Sequence, residues 1–166
     1  MISGSCLCAR VTYQITSDIR QVIHCHCVTC RKAHGSAFSS VASVPVENFV
    51  LKGARNLSSY ESSPGKHRFF CKRCGTQVYA KRDNKHHIIL RLGSLDTPLS
   101  SQELAHTWVS DAVDWFDIDG MLPKYEKGVP ATNECVGHIS FMLAIGMFAL
   151  VSYSRNPIVT PLSPHA

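Results

Sequence analysis

A chain of 166 residues with 45% hydrophobic residues is long enough for one domain with its own core, and too short for two. The formal charge of +5 counts every cysteine as neutral, whereas seven zinc-bound thiolates and two Zn²⁺ would lower the charge to about +2. Lysine and arginine occur in pairs and never in long basic runs, so nucleic acid is not an expected partner.

Short apolar or alternating runs predict β-strands along the first hundred residues. The candidate strands are 11–15, 22–27, 38–44, 49–51 and 57–60, followed by a hairpin formed by 78–80 and 87–92. Residues 31–35 favour a short turn or helical turn, and 98–104 favour a short helix capped by Asp96 or Thr97. From His106 onward the pattern indicates an ordered loop. We therefore predict a mainly β protein.

Residues 133–166 form an apolar tail after a domain that spans residues 1–132. Its core, Ile139 to Val151, is shorter than the roughly 18 residues that a membrane span needs. Because its apolar residues would surround a helix, we expect a helix packed against the domain or a second copy of the chain. The proline-rich end is expected to be frayed, and no membrane partner is expected.

The eight cysteines could form disulfides or bind metal. The N-terminus lacks the charged and apolar regions of a secretory signal, and Ile2 replaces the glycine that myristoylation requires. Cys-x-Cys pairs are also too close to bridge without strain. We therefore expect a cytoplasmic protein whose cysteines bind metal.

A Cys-x-Cys and a Cys-x-x-Cys together supply four thiolates for a closed tetrahedral zinc site. These residues are Cys6, Cys8, Cys71 and Cys74. Gly75 follows the second pair and can adopt the positive φ that such a turn often requires. The spacing predicts a structural zinc that ties the N-terminus to a hairpin more than sixty residues away.

Three further thiols, Cys25, Cys27 and Cys30, lie within six residues. In a strand, Cys25 and Cys27 would share one face, with His24 and His26 on the other. Cys30 follows Cys27 with the spacing of a zinc knuckle, so all three thiolates can reach one ion. The histidines are expected to be core or edge residues with backbone partners instead of general bases.

The second zinc has three evident ligands, and its fourth position is open in our preferred interpretation. A zinc held by three thiolates is a weak Lewis acid that accepts a soft sulfur ligand and ionises a bound thiol. This pattern favours a thiol substrate over hydrolysis. A second structural zinc completed by Cys135 or a histidine is the alternative.

Candidate substrate-binding residues lie near the second group of cysteines and in the later loop. Arg31 and Lys32 could receive the carboxylates of an acidic, peptide-like ligand, although exposed basic residues are often simply solvated. Trp115 and Phe116 could wall a pocket, with core packing as the default. The sequence does not identify a general acid or base.

Four motifs together resemble the glutathione-dependent formaldehyde-activating enzyme family, also called the centromere protein V family. They are Gly4-x-Cys6-x-Cys8, Cys25-His26-Cys27-x-x-Cys30-Arg31-Lys32, Cys71-x-x-Cys74-Gly75-Thr76, and His106-x-Trp108-Val109 with Trp115-Phe116. The resemblance covers about residues 3–130 and includes all seven motif cysteines in order. Ala9, where the family usually has glycine, and the tail depart from the family pattern.

The resemblance implies a β-tent-like fold of small antiparallel sheets and two zinc ions per chain, one structural and one on Cys25, Cys27 and Cys30. It also implies a carbon–sulfur lyase-type enzyme that joins glutathione and formaldehyde into S-hydroxymethylglutathione. A non-catalytic zinc module that binds protein or nucleic acid is the alternative. The expected ligands are a small thiol and a small aldehyde, and a homo-oligomer is compatible with the tail.

Overall fold

The structure is a computed structural model that describes residues 1–130. The expected helix over Ile139 to Val151 lies outside the described residues. No helix within residues 1–130 has the length and apolar character needed to cross a membrane.

Eleven β-strands and one α-helix form this part of the chain. The strands are Ile2–Ser5 (β1), Thr12–Ile15 (β2), Gln21–Cys25 (β3), Ser39–Pro45 (β4), Phe49–Lys52 (β5), Leu57–Ser63 (β6), Lys66–Cys71 (β7), Gln77–Arg82 (β8), His87–Arg91 (β9), Gln102–Thr107 (β10) and Lys124–Tyr125 (β11), and the helix is Val28–His34 (α1). The predictions of a mainly β protein and of the hairpin that pairs β8 with β9 are confirmed.

The strands form two sheets of unequal size. The small sheet has the order β1-β2-β5, and the large sheet has the order β11-β10-β3-β4-β9-β8-β7-β6. All pairs are antiparallel except β10 with β3 and β10 with β11. The expectation of small antiparallel sheets therefore holds only in part, because the larger sheet is extended and mixed.

An apolar core joins the two sheets. Tyr13 and Ile15 come from β2, while Val44, Ile88 and Leu90 come from the middle of the large sheet. These residues follow the alternation of each strand, since every second side chain points to the same face. Burial of such side chains contributes about 1.5–3 kcal/mol each.

Gly4 allows β1 to lie close to the core. A Cβ at this position would stand 2.2 Å from the Tyr13 ring and 2.6 Å from the Ser94 carbonyl oxygen. The Tyr13 hydroxyl and the Ser94 hydroxyl are hydrogen-bonded at 2.8 Å. Any side chain at position 4 would therefore displace β1 and the cysteine loop that follows it.

The predicted short helix over residues 98–104 is wrong. Residues 98–101 are irregular, and Gln102–Thr107 forms strand β10. This strand pairs in parallel with β3, with an irregularity between Glu103 and Ala105. Pairing with β3, which is distant in sequence, outweighs the local helix signals of Pro98 and its cap.

The strand predicted over residues 22–27 ends two residues early, and helix α1 begins at Val28, directly after the predicted range. Strand β3 ends at Cys25, and Cys27 is the N-cap of α1, accepting a hydrogen bond from the Cys30 backbone N–H at 3.4 Å. Gly35 ends the helix with φ of 58° and donates its backbone N–H to the Arg31 carbonyl oxygen. The predicted helical turn over 31–35 is thus the second half of a two-turn helix.

Candidate metal centres and adjoining pockets

The first cysteine cluster consists of Cys6, Cys8, Cys71 and Cys74. Their four sulfurs all lie within 4.8 Å of one another, with 3.6 Å between Cys6 and Cys8 and 3.7 Å between Cys8 and Cys71. Tetrahedral zinc with Zn–S bonds of about 2.3 Å separates its sulfurs by about 3.8 Å. These residues therefore fit a zinc ion, and the distances are too long for disulfides.

Two similar turns present the four sulfurs. In the first turn the Cys6 N–H donates to the Val11 carbonyl, and in the second the Cys71 N–H donates to the Thr76 carbonyl, each at 2.9 Å. Ala9 has φ of 55° and Gly75 has φ of 75°. The predicted positive φ at Gly75 is confirmed, and Ala9 occupies the corresponding left-handed position with a less suitable residue.

Thr76 links the two turns of the first cluster. Its hydroxyl accepts the Leu7 backbone N–H at 3.1 Å and lies 3.3 Å from the Cys74 sulfur. Hydrogen bonds from the side chain and backbone of Thr76 lower the pKa of Cys74 to about 5. The turn thus stabilises a thiolate, which is the form that binds metal.

The second cysteine cluster consists of Cys25, Cys27 and Cys30, whose sulfurs lie within 4.8 Å of one another. Cys25 ends β3, Cys27 caps α1, and Cys30 is buried in the first turn of that helix. Within residues 1–130 no histidine, carboxylate or fourth cysteine joins this group. Three thiolates fit a zinc ion with one further position, whereas Cys135 lies outside the described residues.

The register of the large sheet places two arginines on the same face as Cys25. Cys25 pairs with Ser39, and Val41, two residues later in β4, pairs with Arg91 of β9. Continuing across β9 and β8, the register leads to Arg68 of β7. Residues 25, 68 and 91 therefore share one face although they are far apart in sequence.

Arg68 and Arg91 surround Cys30 with positive charge. Arg68 is 4% exposed and Arg91 is 3% exposed, and both guanidinium NH groups of Arg68 lie 3.9 Å from the Cys30 sulfur. Hydrogen bonds from Cys25 and Cys27, together with the charges of Arg91 and Arg68, lower the pKa of Cys30 far below its ordinary value. Cys30 is thus favoured as a thiolate, whereas hydrogen bonds with Cys27 and Cys30, together with burial, raise the pKa of Cys25 far above its ordinary value.

Neither buried arginine has a carboxylate partner in the part of the chain that the structure describes. The ion pairs found there both involve histidine, His24 with Glu103 and His67 with Asp83. An unpaired buried cation is costly. The Cys30 thiolate is the anionic group that lies beside both arginines.

Two cavities adjoin α1. The first measures about 410 Å³ and is bounded by Lys32 of the helix, by Arg68 and by Gln77. The second measures about 330 Å³ and is bounded by His34, Arg91 and the same Gln77. Both volumes fall within the usual range for small-molecule sites.

The histidines of the motif are buried, as expected of core residues, but their rings are hydrogen-bonded to side chains instead of the expected backbone groups. His26 is fully buried, with its Nε2 2.9 Å from Nδ1 of His106. His24 is hydrogen-bonded to Ser40 and Glu103. Burial, aided by the charges of neighbouring histidines, lowers the pKa of His26 to about 4. These rings pack together beside the second cluster.

The four predicted substrate-binding residues occupy different surroundings. Arg31 donates from Nε to the His26 carbonyl oxygen at 3.1 Å, whereas Lys32 is exposed at the larger cavity. Trp115 is 72% exposed, which excludes core packing for it in this fold, and Phe116 contacts Phe38 with ring centroids 5.5 Å apart. Trp115 and Phe116 do not line either cavity beside α1, and their role in substrate binding stays a prediction.

Sequence reasoning missed Arg68, Arg91 and Gln77. The available signal was the placement of Arg68 and Arg91 inside apolar strands, where a charged residue is rarely buried without a partner. That pattern indicates an unusual arginine but does not identify what it contacts.

Comparison with known proteins shows similarity over most of the described region. Residues 1–111 match the family model described as glutathione-dependent formaldehyde-activating enzyme. Proteins of Aspergillus flavus and Aspergillus oryzae, provisionally named as such enzymes, are each 29% identical over 113 residues, or 66% of this chain and 53% of theirs. A Schizosaccharomyces pombe protein named as an uncharacterised lyase is 32% identical over 76 residues, or 46% of this chain and 54% of that protein.

The chain thus spans about half the length of the curated relatives it matches. A crystal structure of a Rhodobacter sphaeroides protein has a TM-score of 0.48 and 22% identity, covering 59% of this chain and 91% of that one.

Proposed function

The chain belongs to the glutathione-dependent formaldehyde-activating enzyme family, and from this premise we propose that it is a zinc-dependent enzyme of the carbon–sulfur lyase type. Its substrates are glutathione and formaldehyde, and its product is S-hydroxymethylglutathione. In the forward direction a carbon–sulfur bond forms and the thiol proton ends on the former carbonyl oxygen. In the lyase direction the same bond breaks and both substrates are regenerated.

The observation that carries this proposal is the difference between the two cysteine clusters. The first has four sulfurs and is complete, whereas the second has three sulfurs and no fourth ligand within residues 1–130. Zinc at the second cluster would supply a position for a soft sulfur ligand and favour its thiolate form. A site of this kind suits a thiol substrate better than a hydrolytic reaction.

The protein side chains around the second cluster support the same chemistry. Cys27 and Cys30 are fixed by the first turn of α1, so their sulfurs are held in place before a substrate arrives. Arg68 and Arg91 balance the negative charge of the thiolates from within the fold. The cavities beside α1 give room for a peptide-sized thiol. The abundance of glutathione in the cytosol agrees with a cytoplasmic location.

Exchange spectroscopy by NMR tests this function directly. The protein should accelerate exchange between free formaldehyde hydrate and S-hydroxymethylglutathione above the uncatalysed rate. Cys27→Ser should abolish the acceleration while the protein stays folded, because the open zinc site loses a ligand. Wild-type protein with both zinc ions bound and no acceleration would contradict the proposal.

Cys135→Ser serves as the matched cysteine control. With an open second site, this variant should keep both zinc ions and the exchange rate. Loss of one zinc ion from Cys135→Ser would instead identify Cys135 as a fourth ligand and the second site as closed.

A further inference from the structure

The two cavities beside α1 adjoin the surroundings of the second cysteine cluster through the arginines that line them. Each is bounded by one buried arginine, Arg68 in the first and Arg91 in the second, and Gln77 borders both. Arg68 lies 3.9 Å from the Cys30 sulfur, and Arg91 interacts electrostatically with the same residue. A molecule with its sulfur at the second cluster would therefore have two cavities nearby, each lined by an arginine that interacts with Cys30.

Both arginines retain unused hydrogen-bonding capacity. The Nε atoms of Arg68 and Arg91 are buried and have no hydrogen-bond partner among the described residues. A guanidinium offers five donors in a planar fork that matches a carboxylate. Buried donors without partners are uncommon in native proteins, so these two call for an explanation.

The charged side chains around the first cavity also indicate an anionic ligand. Lys32 and Arg68 both lie at its border. Across residues 1–130, neither cation has a carboxylate within 4.0 Å. With zinc bound at the second cluster, the positive charges of the ion, Arg68, Arg91 and Lys32 would exceed the negative charge of the three thiolates, which leaves room for an anionic ligand.

We infer that the thiol substrate lies across the second cysteine cluster with a carboxylate in each cavity, one bound by Arg68 and the other by Arg91. The inference rests on the proposed function and assigns the two ends of its thiol substrate. Glutathione has its sulfur on the central residue and one carboxylate at each end. A peptide extends by about 3.3–3.6 Å per residue, so its two ends can diverge from the sulfur into separate cavities.

This arrangement explains why the site would select a tripeptide over a simpler thiol. A thiol with one carboxylate fills one cavity and leaves the other arginine without its partner. Each charge-assisted hydrogen bond should contribute about 10- to 100-fold in affinity.

Calorimetric titration of the zinc-loaded full chain tests the inference with three thiols. Glutathione carries both carboxylates, its C-terminal glycinamide lacks one, and 4-aminobutanoyl-cysteinyl-glycine lacks the other. Wild-type protein should bind each analogue about 10- to 100-fold more weakly than glutathione. Equal binding of all three thiols would overturn the inference.

The arginine variants should show a crossed pattern. The affinity of Arg68→Met should no longer depend on one of the two carboxylates of the thiol, but should still fall when the other is removed. The affinity of Arg91→Met should show the opposite dependence. If both variants become insensitive to the same carboxylate, or both stay sensitive to each, the assignment of one carboxylate per arginine is wrong. Arg55→Met, at an exposed arginine outside both cavities, should match wild type.

Buried arginine variants could lose zinc or fold poorly, so zinc content and melting temperature are measured beside each titration. Lys32→Met offers a second variant at an exposed residue of the first cavity. Lys32→Met should weaken glutathione binding. It should also reduce the loss of affinity on removal of one carboxylate, and this should be the carboxylate to which Arg68→Met is insensitive. An unchanged glutathione affinity and unchanged penalties in Lys32→Met would count against a carboxylate in that cavity.

The result separates this inference from the proposed function. Glutathione binding with formaldehyde exchange but no carboxylate dependence would overturn the inference alone. Absence of any glutathione binding by folded protein with both zinc ions would overturn both.

Discussion

The two cysteine clusters differ in what completes them. In the first cluster four sulfurs from two turns surround one point, and the turns are tied by backbone hydrogen bonds and by Thr76. In the second cluster three sulfurs come from the end of β3 and the start of α1, and two buried arginines that line neighbouring cavities lie beside Cys30. The first arrangement is closed by the protein, and the second leaves space for a ligand.

The comparison teaches that sulfur count alone does not separate a structural site from a reactive one. The charges around each cluster also differ. Among residues 1–130, the polar contacts of the first cluster include no basic side chain, and a threonine hydroxyl stabilises Cys74. Buried guanidiniums, in contrast, lie beside Cys30. A structural site needs only neutral donors, while a buried anionic site that opens to substrate is balanced by cations.

Matched cysteine substitutions should show the largest difference in stability between the two clusters. Cys71→Ser should leave most of the protein unfolded, because structural zinc contributes on the order of 10 kcal/mol and domain stability is about 5–15 kcal/mol. Cys27→Ser should lower the free energy of unfolding by less than about 2 kcal/mol, since serine is itself a good N-cap. Circular dichroism with thermal unfolding measures both. Equal loss of structure in the two variants would show that the clusters share one structural role.

Chelator titration should sharpen the comparison by separating the two zinc ions. We expect two ions per chain, with the ion at the second cluster released first because three thiolates hold it less tightly than four. Far-ultraviolet circular dichroism should stay unchanged during the first release and change during the second. Cys27→Ser, the control, should release one ion only. A single ion in wild type, or joint release with unfolding, would contradict the division.

Acid should destabilise the surroundings of the second cluster through His34. Burial, followed by the positive charge of Arg91 and Arg68 against the opposing effect of Cys30, lowers its pKa from 6.5 to about 4. Between these values the unfolded chain binds a proton that the folded protein excludes, so stability falls as pH drops from 6.5 towards 4.

His34→Gln removes this titration and can keep the contact with Ser39, which lies 3.1 Å from His34. The melting temperature of the variant should therefore decline less than that of wild type between pH 6.5 and 4. Parallel declines in the two proteins would show that His34 does not contribute. His67→Gln, which alters a partly exposed histidine 3.6 Å from Asp83, is the control.

The smallest expected effect concerns the first cluster and its left-handed residue Ala9. Ala9→Gly should raise the free energy of unfolding by about 0.5–1 kcal/mol, because glycine adopts a φ of 55° without steric cost but loses more backbone entropy on folding. Denaturant unfolding of the zinc-loaded protein measures the change. A lower stability in Ala9→Gly would show that the turn tolerates alanine without strain. Ala54→Gly, at an exposed position where φ is not positive, should not be stabilising.

Sequence alone determined the division of the seven motif cysteines into groups of four and three. Ligand spacing is a local property, and the two-residue separations in Cys71 to Cys74 and Cys27 to Cys30 carry it directly. Alternation likewise located most strands, because side-chain period two reports a half-buried strand wherever it forms. The left-handed Gly75 followed from the same local reasoning.

Tertiary structure alone decided what surrounds the second cluster. Cys25, Arg68 and Arg91 meet because the register across five strands places them on one face, and no local pattern specifies that register. The formation of strand β10 also depends on long-range pairing, because its pairing with β3 overrides the helix signals near Pro98. Strand pairing and long-range charge balance depend on residues far apart in the chain, so they become definite only when the whole sheet has formed.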